Sequence, residues 1–202
     1  MSGTTAPPAA DSVRLELARD LDRGFVELFD AYHKLVFSSA LRISGRWADA
    51  EDLTAEAFLR AYRALRGYDR ERIAALQPRA WLVTILLNAW RNHQRSGARR
   101  PRPAPLEQAP DLADPAPGVE QVAEGHETRR ELAGLLARLP EGQRVSIVLR
   151  YVSDLPIAEI AAVLGCPEGT VKSHISRGLR RLRELHANPG SQAPTSLAGS
   201  TS

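Results

Sequence analysis

The sequence is poor in sulfur: it holds one cysteine, Cys166, and one methionine, Met1. A lone cysteine excludes an internal disulfide and any cysteine-clustered zinc site. Its place before Pro167, at a turn between two helical patterns, reads as a structural thiol. Long apolar runs are missing as well. None approaches the roughly 18–20 residues of a membrane span, and the longest candidate, Trp81 to Trp90, is interrupted by Thr84 and Asn88. No basic segment followed by an apolar one opens the chain, so no export signal is expected and the cytoplasm is the default address. Strand signals and internal repeats are absent. So are a nucleophile–base pair, a phosphate-cradling glycine loop and metal-ligand spacing, so neither an enzyme nor a cofactor or metal site is expected. Lysine is nearly missing: of 27 basic residues 25 are arginine and 2 lysine. With abundant alanine and proline, that excess fits a GC-rich coding sequence better than a function. At a net charge of +3, the placement of the arginines matters more than their number.

What remains is helical. An apolar share of 43% over 202 residues suffices for buried cores. Residues 1–12 are small and polar and read as a frayed terminus. Helical periodicity dominates residues 13–95 and resumes over 128–186. Between them, residues 96–127 open on a Pro-rich stretch that cannot repay its ordering entropy, and so read as a linker. Residues 187–202 read as a disordered tail. The expected fold is therefore all-α, with two small helical domains on a flexible Pro-rich tether.

In the first domain Phe25, Phe29, Tyr32, Val36, Ala40 and Ile43 recur at helical spacing as one apolar face, and Gly45 fits a C-terminal stop. Asp49, with Asp52 three residues later, predicts an N-cap for a helix from about Ala50 to Leu65. This helix should bury Leu53, Ala57 and Ala61. A polar loop from Tyr68 to about Pro78 leads to a third helix, about Arg79–Arg95, with Trp81, Ile85, Leu82 and Leu86 as its expected core. In the second domain one helix stops at Pro140 and another covers about Glu141–Val152. Two more, about Ile157–Leu164 and Glu168–Leu185, are joined across Gly165. Their stripes, Ile157/Ile160/Ala161/Leu164 and Val171/Ile175/Leu179/Leu182, outline a helix-turn-helix.

Three features point to chemistry. The last helix leaves Thr170, Lys172, Ser173, His174, Ser176, Arg177, Arg180 and Arg181 off its apolar stripe. Hydroxyls and a basic pair near its start suit base edges, and the later arginines suit phosphates. The bland alternative is a solvated basic helix. Asp49, Glu51, Asp52 and Glu56 crowd one helix start. Helix-dipole complementarity explains the first turn, and a docking face for a basic protein partner explains Glu56 as well. Finally, Trp81 to Asn88 is followed by Arg91, Asn92, Arg95, Arg99, Arg100 and Arg102 without an acid, a pattern able to stack bases and neutralise phosphates. Core packing of Trp81 is the competing reading.

The runs DAEDLTAEAFLRAYRAL (Asp49–Leu65) and WLVTILLNAWRNHQR (Trp81–Arg95) resemble the second conserved region of sigma-70-family factors. The run Leu136–Leu185, including LPIAEIAAVLGCPEGTVKSHISRGLRRL, resembles their fourth. The ordered pair, joined only by a Pro-rich linker, is similar to the extracytoplasmic-function (ECF) group. The resemblance implies a factor that brings RNA polymerase core enzyme to promoter DNA. Asp49, Glu51, Asp52 and Glu56 would dock on the polymerase clamp helices. Tyr68, Asp69 and Trp81 would hold an unstacked base of the −10 element, with Asn88, Arg91, Asn92 and Arg95 along the strand and adjacent duplex. The residues named on the last helix would read the −35 element, and Leu139 with Val145–Leu149 would seat the flap of the β subunit. It also implies an anti-sigma factor as partner, able to hold the chain at a membrane without direct insertion. Pro156 stands where a polar cap is usual, with Asp154 placed to substitute. His174 stands where a longer base is frequent, suited to a weak, pH-sensitive contact.

Overall fold

The computed structural model describes residues 10–97 and 132–187. Most of the expected 1–12 terminus, the 98–127 part of the expected linker, the start of the helix expected from Thr128, the arginines at 99, 100 and 102, and the 188–202 tail lie outside the described residues.

The first domain begins earlier than expected, with α1 over Ala10–Arg19. Val13 and Leu17 are buried on its inner face. Asp20 then caps α2 (Leu21–Ser44), its side chain accepting from the Asp22 and Arg23 amides at 3.0 and 3.1 Å. The two helices approach so closely that a Cβ on Gly24 would lie 2.3 Å from the Leu17 nitrogen. Glycine is required there by space. The buried stripe of α2 is Leu28, Tyr32, Val36, Ser39, Ala40 and Ile43. Phe25 and Phe29, expected in that core, sit to one side of it. They form an aromatic seam with Phe58 and Tyr62, and Phe29 remains 39% exposed. Gly45 ends the helix at φ 73°, its N–H bonded to the Leu41 carbonyl.

Helix α3 covers Trp47–Leu65, so the expected N-cap is corrected: Arg46 holds that position and Asp49 lies in the first turn. The small residues Ala50, Ala57 and Ala61 are fully buried with Leu53, Phe58 and Leu65, letting α3 pack on both α2 and α5. The loop expected after Tyr68 contains a short helix, α4 (Arg70–Ala74). Asp69 caps it by accepting from the Arg72 amide at 2.8 Å. Helix α5 spans Pro78–Gly97, with Pro78 at its start, where a missing N–H is no loss. Its core is Leu82, Val83, Leu86, Leu87, Ala89 and Trp90. Trp81 and Ile85, expected among them, are only half-buried.

In the second domain a helical stretch over 132–137 (α6) leads through Pro140 to α7 (Glu141–Tyr151). The helix-turn-helix is α8 (Ile157–Leu164) and α9 (Glu168–Ala187), with Gly165 at φ 67° between them. Pro156 caps α8 without a side-chain bond, and Asp154, expected to substitute, does not. It stands at φ 50° with its carboxylate turned to Arg79 of the first domain, 3.3 Å away. Helix α9 lies close on α7, where a Cβ on Gly178 would meet Ile147 Cδ1 at 2.5 Å. All of Val145–Leu149 is buried, because α7 is flanked by α9 on one side and by α2 on the other. These residues, expected to seat a partner, are interior here. The two domains are thus packed on each other, α7 on α2 and α8 on α5.

Candidate nucleic-acid interface

Helix geometry makes α5 two-faced. Leu82, Leu86, Ala89 and Trp90 point into the bundle, so the positions about a turn apart on the other side, Trp81, Thr84, Ile85, Asn88, Arg91, Asn92 and Arg95, share one outer face. Asn88, Asn92 and Arg95 are exposed and Arg91 is half-buried. At the N-terminal end of this face the Trp81 indole Nε1 donates to the Tyr68 hydroxyl at 3.3 Å, with ring centroids 6.0 Å apart. The Arg72 guanidinium lies over the Tyr68 ring, 3.9 Å from its centroid. Tyr68, Arg72, Leu76, Gln77, Trp81 and Thr84 line one wall of a cleft of about 470 Å³, and Glu159, Ala162 and Val163 of α8 line the other. A cleft with a tilted aromatic pair, a guanidinium and an amide can hold a planar base by stacking on one of the rings. Tyr68 and Trp81 come together there as expected. Asp69 does not join them, being occupied as the cap of α4. Arg72, Gln77 and Thr84 are members that the sequence reading missed. The Trp81–Thr84–Asn88 spacing could have shown Thr84, but nothing in the sequence marks Arg72.

On α9, Lys172, Ser173, Ser176, Arg177 and Arg180 are exposed, with Thr170 and Arg181 partly covered. Lys172 pairs with Glu168 at 3.5 Å and Arg180 with Glu184 at 3.8 Å, both one turn apart on open surface. Such pairs contribute about 0–1 kcal/mol and exchange readily for phosphate. His174 leaves the row. Its ring lies against α7, Nδ1 3.5 Å from the Ser146 hydroxyl and packed where any side chain on Gly142 would fall. The expected contact from His174 therefore becomes a packing role.

The acidic residues also divide. Glu51 and Asp52 are exposed, and Glu56 pairs with Arg60 at 2.5 Å. The Asp49 carboxylate, 16% exposed, lies 3.8 Å from Arg46 and 3.7 Å from His93, tying α3 to α5. Beside the outward acids stand Leu59 and Phe29, 46% and 39% exposed. Phe29 packs on Phe58 and His33 at centroid distances of 4.8 and 4.6 Å. Burial pushes the His33 pKa below its usual 6.5. The patch is therefore acidic and apolar together, and its apolar half was missed because Phe29 was assigned to the core. Among the described residues no helix is long and apolar enough to cross a membrane.

Two all-α domains, one ending in a helix-turn-helix with a basic exposed face and the other offering an aromatic cleft and an arginine-bearing helix, define a bipartite nucleic-acid-binding class. Residues 28–100 match the family Sigma-70 region 2 and residues 129–182 match Sigma-70, region 4. The chain is 32% identical over 170 residues to the ECF RNA polymerase sigma factor SigE of Mycolicibacterium smegmatis, covering 84% of this chain and 64% of that protein. It is 33% identical over 160 residues to the RNA polymerase sigma-E factor of Streptomyces avermitilis, covering 79% of this chain and 83% of the relative. In fold it is similar to CnrH, solved in complex with the cytosolic domain of CnrY, with a TM-score of 0.64 at 24% identity, over 90% of this chain and 99% of that one. It is also similar to the sigma factor RpoE of Bartonella quintana, solved with the anti-sigma factor NepR, with a TM-score of 0.61 at 23% identity, over 84% and 98%. The chain belongs to the ECF group of sigma-70-family RNA polymerase sigma factors.

Proposed function

We propose that this chain binds RNA polymerase core enzyme in the cytoplasm and directs it to a two-part promoter, contributing recognition and melting rather than catalysis. The observation that carries the reading is the ordered pair of family matches, regions 2 and 4, each coinciding with a folded helical domain. In this reading α9 reads the −35 element, with Lys172, Ser173, Ser176 and Arg177 nearest the bases and Arg180 and Arg181 on phosphates. The Tyr68–Trp81 cleft takes an unpaired −10 base, and Asn88, Arg91, Asn92 and Arg95 follow the strand. Stacking of about 1–3 kcal/mol per base offsets part of the few kcal/mol that unstacking costs. Glu51, Asp52 and Glu56, with Phe29 and Leu59, form the face for the clamp helices, while Asp49 acts from beneath by joining α3 to α5. The solved relatives in complex with CnrY and NepR support a regulatory protein partner of the anti-sigma kind.

The test is to mix the purified chain with core polymerase, transcribe fragmented genomic DNA and map the RNA 5′ ends. New starts that depend on the chain and share a two-part upstream motif are expected. Core binding without new starts would leave a polymerase-binding decoy. No core binding would leave a helix-turn-helix regulator acting alone.

A further inference from the structure

Helix α9 is held to its own domain by two kinds of contact. One is an aliphatic stripe, Val171, Ile175, Leu179 and Leu182, turned into the domain core. Apolar burial of that sort is non-directional, so it rewards contact without fixing how the helix is rotated about its axis. The other is with α7, where each helix carries a glycine at the place where its neighbour needs room. On α7 that residue is Gly142. A Cβ there would lie 2.9 Å from Cε1, 3.2 Å from Nδ1 and 3.4 Å from Nε2 of His174, so the imidazole fills the space of the missing side chain. One turn further along α9, Gly178 is buried, and a Cβ on it would meet Ile147 Cδ1 at 2.5 Å and Gln143 Cβ at 3.2 Å. A Cβ on Gly134 or Gly169, by contrast, would meet nothing within 4 Å.

The two contacts are reciprocal. His174 and Gly178 stand one turn apart on α9, and Gly142 and Ser146 one turn apart on α7 with Ile147 beside them. Each helix therefore offers one protrusion and one notch to the other, which defines both their relative height and their rotation. Ser146 adds direction. Its hydroxyl donates to the Gly142 carbonyl at 2.7 Å, which uses its proton, so toward His174 Nδ1, 3.5 Å away, it offers a lone pair. Shape and a hydrogen bond thus act on the same ring.

The register set in this way matters on the exposed side of the helix. Successive residues turn by about 100°, so Ser173 and Arg177 stand about 100° and 60° around the axis from His174. Both are exposed, and Arg177 is flanked in sequence by His174 and Gly178. Hydrogen bonds to base edges carry the sequence information and need a set direction, whereas phosphate contacts carry none.

We infer that His174 is a positioning residue for promoter discrimination. Seated in the Gly142 notch of α7, while Ile147 seats in the Gly178 notch of α9, it fixes the rotation at which α9 presents Ser173, Ser176 and Arg177 to the −35 bases. It touches no base itself. The inference rests on the −35 reading of α9.

The test uses the full chain with core polymerase, at a promoter obtained from the mapped starts and at single-base variants of its −35 element. The quantity read is the ratio of initiation between the two, beside core affinity and the urea midpoint of each protein. One wrong base pair ordinarily costs about ten- to hundredfold. His174→Ala should shrink that ratio by about tenfold with core affinity unchanged. A merely structural role predicts an equal loss at every −35 sequence with the ratio intact, and that result overturns the inference. Gly142→Ala should cause the same loss of discrimination by expelling the ring. Adding His174→Ala to it should recover part of the ratio, because the new methyl then occupies the emptied notch. Gly178→Ala should likewise be relieved by Ile147→Val, which removes the Cδ1 atom. Additive losses in the Gly142 and His174 pair refute the notch, and that pair decides even if Gly178→Ala does not fold. The −35 reading is judged separately by Arg177→Ala. An unchanged ratio there refutes that reading and the inference with it, whereas a reduced ratio there beside an unchanged one in His174→Ala overturns the inference alone.

Discussion

Replacing Gly24 with alanine adds one methyl group where α1 and α2 leave no room. The new Cβ would lie 2.3 Å from the Leu17 nitrogen, 2.5 Å from its Cα and 2.7 Å from the Glu16 carbonyl carbon. All three are backbone atoms, so no side-chain rotation can relieve the clash. Carbon contacts settle at about 3.5–4.0 Å, so α1 must retreat by more than an ångström. That helix is anchored by Val13 and Leu17, 0% and 2% exposed, each contributing about 1.5–3 kcal/mol when fully buried. Lifting both from the core costs about 3–6 kcal/mol, and the better helix propensity of alanine returns about 0.5–1 kcal/mol. A net loss of about 2–5 kcal/mol is expected. Gly169→Ala is the matched control, since it has nothing within 4 Å in α9 and should be neutral or slightly stabilising. Urea unfolding of the three proteins decides the matter. A lower midpoint with unchanged slope means α1 stays docked under strain, and a lower slope means it has come away. The consequence reaches the cleft, because Arg14 of α1 donates to the Leu76 carbonyl at 2.9 Å and so braces the segment carrying Arg72. If Gly24→Ala unfolds at the same midpoint as Gly169→Ala, the close approach of α1 and α2 is refuted.

Four other outcomes are expected. Arg177→Ala should weaken −35-dependent initiation and lower the salt dependence of promoter binding while leaving core polymerase affinity intact; loss of core affinity would contradict the division of labour between the domains. Trp81→Ala should cost about 1–3 kcal/mol in holding an unpaired −10 base, visible as reduced permanganate reactivity of melted thymines in the polymerase complex, whereas undiminished melting would exclude Trp81 from the cleft's function. Asp52→Lys should reduce core binding with little effect on stability and Asp49→Ala the reverse, measured by polymerase pull-down and thermal unfolding; matching behaviour of the two would mean that Asp49 faces outward. Stability should decline as pH falls below about 6.5, because burial depresses the His33 pKa and the unfolded chain takes up a proton first. His33→Phe should flatten that decline, and an unaltered slope would show that His33 is not the group responsible.

The helices themselves were legible because their apolar periodicity is strong and their ends are marked by chemistry. Gly45 and Gly165 both stand at helix ends in left-handed backbone, as their positions implied. What stayed hidden depended on pairs of residues distant in sequence. Asp49 has the residue type of a cap, but Arg46 and His93 draw it inward. His174 has the spacing of a surface residue, but Gly142 opens a place for it on α7. Gly24 and Gly178 lie inside helices, and only the neighbouring helix explains them. Trp81 shows the limit from the other side. Helical periodicity placed it in the core, resemblance placed it at DNA, and a half-buried ring bonded to Tyr68 accommodates both. Packing of the domains on each other was not foreseen, because the apolar run Val145–Leu149 that α2 covers reads equally well as a seat for a partner.

The outer face of α5 has one further consequence. Trp81 to Arg95 is fifteen residues of uninterrupted helix, a rise of about 21 Å over the steps between them, matching about six base steps at 3.4 Å each. In the proposed −10 reading, a straight helix of that length acts as a ruler, fixing both how far from the trapped base its arginines reach and in which direction they point. Inserting a single residue between Trp81 and Asn88 would lengthen the ruler by only about 1.5 Å but turn every later side chain through about 100°, setting arginine and tryptophan out of phase on the same DNA.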